Sequence, residues 1–301
     1  IRLNGADWVT IDGSNSGGTD RSLSLINTST SANTAVIWVS SVNILNGAAN
    51  NTIKNCNIAA GSNTVTSTFG IYAGGASITT TGTGDNNDNL IIQNNSISKA
   101  YYGIYARAGS FLGYNDGLQI IGNSIGSNTP ADYVIFRGID VQYANAPLIS
   151  QNTIFNMITT ISSSIAAIDL GTGAFEARVV RNNITAVQNT SASGWGSYGI
   201  NVSGTAGTIN ILIANNFISD FLGANYPMGA SFNPFRIRLA GGYYTKIYNN
   251  SINFFGNHTS GSSAGGSANM AISSTLAQGT EVRNNIFRNT HTFSVAGSNI
   301  Y

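Results

Sequence analysis

One six-residue pattern recurs along the chain and limits its possible folds more than any other feature. It runs aliphatic, variable, two polar residues that are mostly asparagine, variable, and usually aliphatic again, as in residues 92–97. Repeats at intervals of 28 to 39 residues indicate a solenoid, a propeller or another repeat array. The fourth position of each copy is Cys56, Asn95, Asn123, Asn152, Asn183, Asn216, Asn250 and Asn285.

A second pattern keeps the same phase and identifies the kind of repeat. It is a small residue, an isoleucine and a short alternating tail, most clearly Gly-Ile-x-Val or Gly-Ile-x-Ala. Both patterns are short, β-branched and alternating, which is typical of strands, and neither carries a helical period. A propeller blade needs about 40–45 residues, and several units are shorter, so the sequence predicts an all-β parallel β-helix. The isoleucines are Ile71, Ile104, Ile139, Ile168, Ile200, Ile237 and, more weakly, Ile272.

The asparagines favour the same fold. Asparagine is poor inside an ordinary strand, yet here it lies between two aliphatic positions that should be buried. A turn between two sheets of a coil needs residues that tolerate left-handed backbone geometry. Stacked from coil to coil, the same side chains can form a hydrogen-bonded ladder along the axis.

These motifs resemble the right-handed parallel β-helix repeats of pectate-lyase-like proteins. More narrowly, residues 3–13 and 51–58 resemble large secreted or surface proteins of Bacteroidota that are exported by the type IX route. The resemblance implies a right-handed helix, an extracellular or bacterial cell-surface location, and a place within a longer polypeptide chain. It is weakly specific for function, because β-helices include lyases, hydrolases, adhesins and inert stalks.

Composition narrows the classes of function. Only 8% of the residues are charged, against about 25% in an average protein, and the net charge is +1. A nucleic-acid partner therefore has no electrostatic basis, and no apolar run is long enough for membrane insertion. The single cysteine, Cys56, occupies an asparagine position of the repeat and is predicted to be buried and inert; the only two histidines, His258 and His291, are placed in late loops.

We predict one domain over residues 1–301, with irregular first coils over 1–50 and the regular array over 51–301. Stacked at about 4.8 Å per coil, roughly nine or ten coils would give a rod about 45 Å long. Solenoids normally close their ends with atypical units, and no such pattern is evident. We therefore expect an uncapped fragment of a longer chain.

The residue after each inward isoleucine should point outward, because side chains alternate along a strand. This outward column contains two aromatic rings, two carboxylates, an amide and a guanidinium, a composition that fits a sugar-binding groove. A polysaccharide or cell-surface glycan is therefore the predicted ligand, bound by the first six members of the column. The column is Tyr72, Tyr105, Asp140, Asp169, Asn201, Arg238 and Ser273.

Asp140 and Asp169 leave three interpretations open. They could share a calcium ion, which takes several oxygen ligands, although no cofactor and no metal site is otherwise predicted. They could form an acid–base pair, because retaining glycosidases hold two carboxyls about 5 Å apart, with Arg238 as the third catalytic residue if the chain is an enzyme. They could also be solvated surface residues. The Asp-Asp and Gly-His-Gly motifs of polygalacturonase-like enzymes are absent.

The sequence thus predicts an extracellular adhesin-type or stalk-type module that binds polysaccharide along an exposed sheet face. One alternative is a polysaccharide lyase or glycoside hydrolase that uses Asp140, Asp169 and Arg238. A second alternative is a purely structural segment of a surface filament or giant surface protein.

Overall fold

The computed structural model describes residues 1–82, 84–109, 113–205, 207–220, 225–227, 233–260, 266–293 and 299–300. Almost all of the regular structure there is β. The one helical element among these residues is a 3₁₀ turn, Pro130–Asp132. Nowhere in the described ranges is there a helix with the length and hydropathy needed to cross a bilayer.

The strands are short, as expected for one side of a solenoid coil. In the first part of the chain they are β1 (Arg2–Asn4), β2 (Thr10–Asp12), β3 (Leu23–Ile26), β4 (Thr34–Ser40), β5 (Thr52–Lys54), β6 (Cys56–Ala59), β7 (Thr68–Gly74), β8 (Ile91–Gln93), β9 (Ser96–Ser98), β10 (Tyr102–Arg107), β11 (Asn115–Asp116), β12 (Gln119–Ile121) and β13 (Ser124–Ile125). The middle part contains β14 (Arg137–Gln142), β15 (Ala144–Asn145), β16 (Leu148–Ser150), β17 (Thr153–Thr159), β18 (Ile165–Leu170), β19 (Ala174–Phe175), β20 (Arg178–Val180), β21 (Asn183–Asn189) and β22 (Ser197–Val202). The last part contains β23 (Leu212–Ala214), β24 (Phe217–Ser219), β25 (Asn225–Pro227), β26 (Phe235–Leu239), β27 (Lys246–Tyr248), β28 (Ser251–Ser260), β29 (Gly266–Ile272), β30 (Glu281–Arg283), β31 (Ile286–Phe293) and β32 (Asn299–Ile300).

Three long parallel sheets run along the molecule, and each coil contributes one strand to each sheet. Sheet A has the order β1-β4-β7-β10-β14-β18-β22-β26-β29-β32, and sheet B has the order β2-β5-β8-β12-β16-β20-β23-β27-β30. Sheet C has the order β3-β6-β9-β13-β17-β21-β24-β28, with β25 and β31 both paired to β28; a short fourth sheet joins β11, β15 and β19. The result is a right-handed parallel β-solenoid of about eight turns. This confirms the predicted fold class, with a slightly lower coil count.

The core is built from aliphatic stacks, one from each long sheet. In sheet A the predicted inward isoleucines from Ile71 to Ile237 pair in consecutive register and are fully buried. Ile92 and Ile97 mark the corresponding stacks of sheets B and C, also fully buried. Burying one such side chain contributes roughly 1.5–3 kcal/mol, so the repeated isoleucines stabilise the whole length of the solenoid.

The two asparagines of each repeat have different roles at the corner between sheets B and C. The first takes a left-handed backbone, as at Asn94 (φ 50°) and Asn215 (φ 56°), which asparagine tolerates better than most residues. The second is buried and bonds to its equivalent in the next coil. For example, the Asn152 backbone N–H and Nδ2 both donate to Asn182 Oδ1 at 3.0 Å. The predicted ladder is confirmed over Asn95, Asn123, Asn152, Asn182, Asn216, Asn250 and Asn285.

The predicted repeat frame was wrong by one residue in one coil. The ladder residue there is Asn182, not Asn183, because Val179 pairs with Ile149 and Ile213. Asn183 is the first residue of β21 and is exposed. The run 179–185 offers two adjacent valines and two adjacent asparagines, so either frame fits the pattern.

Cys56 occupies the first position of the ladder, where the other coils have an asparagine. The prediction of a buried thiol is confirmed. Its side chain is fully buried, and its backbone N–H donates to Asn95 Oδ1 at 3.0 Å. Burial, helped by the charge of Asp12, raises the pKa of the thiol, which disfavours the nucleophilic thiolate.

Candidate functional site on the outer face of sheet A

The register of sheet A places the predicted outward column in one line. Tyr72, Tyr105, Asp140, Asp169, Asn201 and Arg238 are consecutive partners across β7, β10, β14, β18, β22 and β26. Trp38 precedes Tyr72 in the same line, and Arg2 precedes Trp38 with its guanidinium 3.9 Å above the indole ring. Neither residue was predicted, although the alternation around Ile37 could have identified Trp38.

The predicted last member of the column, Ser273, is wrong. Arg238 is followed by Ala271, and Met270 rather than Ile272 pairs with Ile237. Ile272 is 54% exposed. Because side chains alternate with a period of two, a two-residue shift keeps the in–out pattern, and the sequence could not distinguish the two registers.

The aromatic end of the column is covered by the protein itself. Tyr72 and Tyr105 are 0% and 1% exposed, and their rings stack with centroids 5.5 Å apart. Their hydroxyls donate to the carbonyls of Thr79 (2.9 Å) and Thr80 (2.7 Å), in the segment that follows β7. This differs from the open sheet face that we expected, since neither ring presents a free face on which a sugar could stack.

The two carboxylates lie side by side in the middle of the column and are nearly buried, at 6% exposure for Asp140 and 5% for Asp169. Arg137 Nε donates to Asp169 Oδ2 at 2.8 Å. Asp169 Oδ1 accepts further hydrogen bonds from Ser203 Oγ (2.7 Å) and Asn201 Nδ2 (3.1 Å). The pair is therefore asymmetric, because Asp169 carries most of the polar contacts.

Asp140 has a much poorer environment. Its side chain accepts one hydrogen bond, from Gln142 Nε2 at 3.1 Å. Burial and the adjacent Asp169 charge raise the pKa of Asp140 to about 7, although Arg137 opposes the shift. The pKa of Asp140 is thus raised toward neutrality, while Arg137 pairs with Asp169.

This asymmetry predicts that Asp140→Asn stabilises the protein at alkaline pH. The native state binds more protons than the unfolded state between the ordinary carboxyl pKa and about 7, so the free energy of unfolding falls as pH rises through that range. Asparagine resembles the protonated carboxyl and should remove the fall, which amounts to about 2–4 kcal/mol above pH 7. Urea unfolding at pH 5 and pH 8.5 measures the difference. Equal pH profiles for the wild type and the variant would contradict the proposed protonation.

The arrangement of Asp140 and Asp169 is suited to acid–base chemistry. A carboxyl with a raised pKa beside a second carboxyl that pairs with an arginine is the kind of arrangement that glycosidic hydrolysis uses. Calcium, in contrast, needs six to eight oxygen ligands, and Asp169 already accepts three hydrogen bonds. Across the described ranges, no three or more His, Cys, Asp or Glu side chains are grouped closely enough to hold a metal ion.

Arg238 ends the polar half of the column. Its Nη1 donates to Asn201 Oδ1 at 3.4 Å, and its guanidinium lies 5.0 Å from the centre of the Tyr198 ring. Unlike the five predicted members that precede it, from Tyr72 to Asn201, it is partly exposed. Arg238 is therefore the member of the predicted ligand-binding set that is nearest to solvent, while Asn201 is buried.

A second polar cluster was not predicted. Arg236, fully buried, forms an ion pair with Asp220 at 3.0 Å and lies over the Phe254 ring at 4.2 Å. Nearby, His258 Nε2 and His291 Nδ1 are 2.6 Å apart. Both histidines lie in strands β28 and β31, so their placement in loops was wrong.

This cluster has the character of a structural core. Burial, with the charges of His258 and Arg236, lowers the pKa of His291 to about 3, so this ring is neutral at physiological pH. Arg236 occupies the position that is glycine in four other coils and alanine in one, which is the signal that could have identified it. Those residues are Gly70, Gly103, Gly138, Ala167 and Gly199.

No protein-family model, curated protein or solved structure is significantly similar to this chain. The resemblance to pectate-lyase-like and type IX-exported Bacteroidota proteins therefore stays a prediction. The candidate site must be interpreted from its own geometry.

Proposed function

We propose that this chain is a rigid stalk-type module of a secreted or cell-surface protein. The observation that carries the proposal is the continuous side-chain ladder from Asn95 to Asn285, which links successive coils inside the core. Successive coils are bonded through three sheets as well. A body bonded in this way resists bending and transmits force along its axis.

The low content of charged residues and the sequence resemblance support an extracellular or bacterial cell-surface location. As an adhesin-type module it would hold a polysaccharide or cell-surface glycan at the polar end of the column. Arg238 is the contact best placed for this role, because it is partly exposed, and the buried Asn201 accepts a hydrogen bond from it. Tyr72 and Tyr105 would take part only if the segment over them moved aside.

Single-molecule pulling on the chain, fused in tandem to a reference domain and held at its two ends, tests the stalk role. We expect the module to stay intact until the force exceeds that needed to unfold an ordinary helical domain, because many parallel strand pairs are loaded together. Unravelling coil by coil at forces typical of a flexible linker would contradict the proposal. The reference domain in the same tether serves as the internal force standard.

Acid–base catalysis is the second candidate, supported by the unequal environments of Asp140 and Asp169. In a hydrolase Asp140 would donate its proton to the leaving oxygen and Asp169 would stabilise or attack the sugar carbon. In a lyase Arg238 would be the candidate proton abstractor. The near-complete burial of both carboxyls weighs against this candidate.

A polysaccharide panel with and without calcium separates the two candidates. Reducing ends and unsaturated uronides would be measured for the wild type and for Asp140→Asn/Asp169→Asn. The stalk proposal expects no product from either protein. Product from the wild type that is lost in the variant would establish an enzyme and overturn the proposal.

A further inference from the structure

A groove lies on the outer face of sheet B, on a different side of the solenoid from the outward column. It combines aliphatic side chains with arginines. It has a volume of about 260 Å³, and its walls include Leu148, Val180, Leu212, Arg178 and Arg181. Arg178 lies between Leu148 and Leu212 in register, and Lys246 follows Leu212. Aliphatic side chains and arginines therefore both line the groove, and Lys246 lies one rung beyond Leu212 on the same face.

These three cations lack the side-chain partners that most other described cations have. Within the described ranges, neither Arg178, Arg181 nor Lys246 forms an ion pair or a side-chain hydrogen bond, whereas Lys54, Arg137, Arg236 and Arg283 each have a carboxylate partner. All three side chains are exposed. A surface with so few charges therefore carries a local excess of positive charge at this groove.

Two acidic residues lie near the groove cations and could neutralise them. Glu281 follows Lys246 in register, but it is engaged by Arg283 and Tyr248. Glu176 is two residues before Arg178 and is exposed. Neither forms an ion pair with the groove cations, so the excess of positive charge remains.

The backbone gives an independent indication at Arg181. It has a φ of 60°, in the left-handed region, at the corner where the other coils use asparagine, glycine or glutamine. A long charged residue is a costlier choice there than asparagine. Among the described residues the Arg181 side chain forms no ion pair or hydrogen bond, so the fold itself does not use its charge.

We propose that this groove binds a linear anionic glycan through its sulfate or carboxylate groups. Arginine presents a planar fork of donors that matches both groups. Arg178 and Lys246 are two rungs apart, about 10 Å at the backbone, so they would contact charges on separate sugar units. Leu148, Val180 and Leu212 would contact the apolar faces of the rings.

A nucleic acid is the less suitable anionic polymer. Binding of single strands relies on aromatic side chains on which bases stack. The residues that line the groove include no aromatic ring, and Tyr248, which lies beside Ala214, is bonded to Glu281. Three cations also supply few of the phosphate contacts that such binding needs. The inference does not depend on the stalk role and would stand if that role failed.

The test compares dextran sulfate, carboxymethyl dextran and neutral dextran of matched length as ligands of the whole chain. We expect binding of one or both anionic dextrans at low salt, weakening with added salt, and none of neutral dextran. Arg178→Gln/Arg181→Asn should weaken it by about tenfold or more. Asparagine is the residue found at this corner in other coils, so the variant should fold.

Arg288→Gln is the matched control, because Arg288 is an exposed arginine on β31 that bonds to Asn253. It should bind the anionic dextrans as the wild type does. The proposal is overturned if no anionic dextran binds, if neutral dextran binds equally, or if the double variant keeps full affinity. Tighter binding of a single-stranded oligonucleotide than of either dextran would overturn it too. The preferred dextran identifies sulfate or carboxylate as the recognised group.

Discussion

Asn182→Ala is expected to lower the free energy of unfolding by about 3–5 kcal/mol. Asn182 Oδ1 accepts both the backbone N–H and the Nδ2 of Asn152 at 3.0 Å, and its own Nδ2 donates to Ile149 O and Asn216 Oδ1 at 3.0 Å. Alanine would leave the Asn152 backbone N–H buried without a partner, at a cost of about 1–3 kcal/mol, and would remove three further hydrogen bonds at about 1 kcal/mol each.

Asn183→Ala is the matched control, since it removes the adjacent asparagine of the same coil. Asn183 is exposed, and a surface substitution of this kind usually changes stability by less than about 0.5 kcal/mol. Urea unfolding of both variants, with hydrogen exchange of the Asn152 amide, gives the comparison. Equal destabilisation by the two substitutions would show that the ladder does not stabilise the fold as inferred.

The fold was predictable because its main determinants are local and repeated. Each coil repeats the same order of inward isoleucine, left-handed corner and buried asparagine, so eight copies compensate for the ambiguity of one. The strand register was harder to predict where one copy of the repeat fits the pattern in more than one way. At Asn182 and Asn183 two frames fit, and at Ile272 a shift of two residues preserves the alternation.

Burial of the outward column could not be predicted in the same way. The alternation shows that Tyr72 and Tyr105 point away from the core, but not that the residues after β7 fold over them. That cover depends on hydrogen bonds to the carbonyls of Thr79 and Thr80, in a segment without repeats. Similarly, His258 and His291 are brought together only by the pairing of β28 with β31.

Arg236→Met is expected to destabilise the protein by about 3–5 kcal/mol, the usual effect of removing one partner of a buried ion pair. The Arg236 and Asp220 side chains are both fully buried, and Arg236 also donates to the Ser197 carbonyl at 3.0 Å. Methionine retains much of the volume over the Phe254 ring but leaves the Asp220 carboxylate without this cation. Thermal and urea unfolding measure the loss.

Two further variants make the result specific to the pair. Arg236→Met/Asp220→Asn should lose less stability than Arg236→Met alone, because the neutral amide needs no cation while its oxygen can still accept the Phe255 N–H. Arg238→Met changes a partly exposed arginine two residues away and should cost less than about 1 kcal/mol. A double variant that is no better than Arg236→Met would contradict the assigned ion pair.

The same substitution has a spectroscopic consequence that a mere loss of packing would not produce. The Arg236 charge is one of the causes that lower the pKa of His291, after burial and His258. Arg236→Met should therefore raise that pKa, whereas Arg238→Met should leave it unchanged. Titration of the His291 ring by NMR on the folded variants measures this shift. A shift in that direction would establish that the buried guanidinium acts on the histidine pair through its charge, and that the strands near β28 and β31 are held by a coupled polar core.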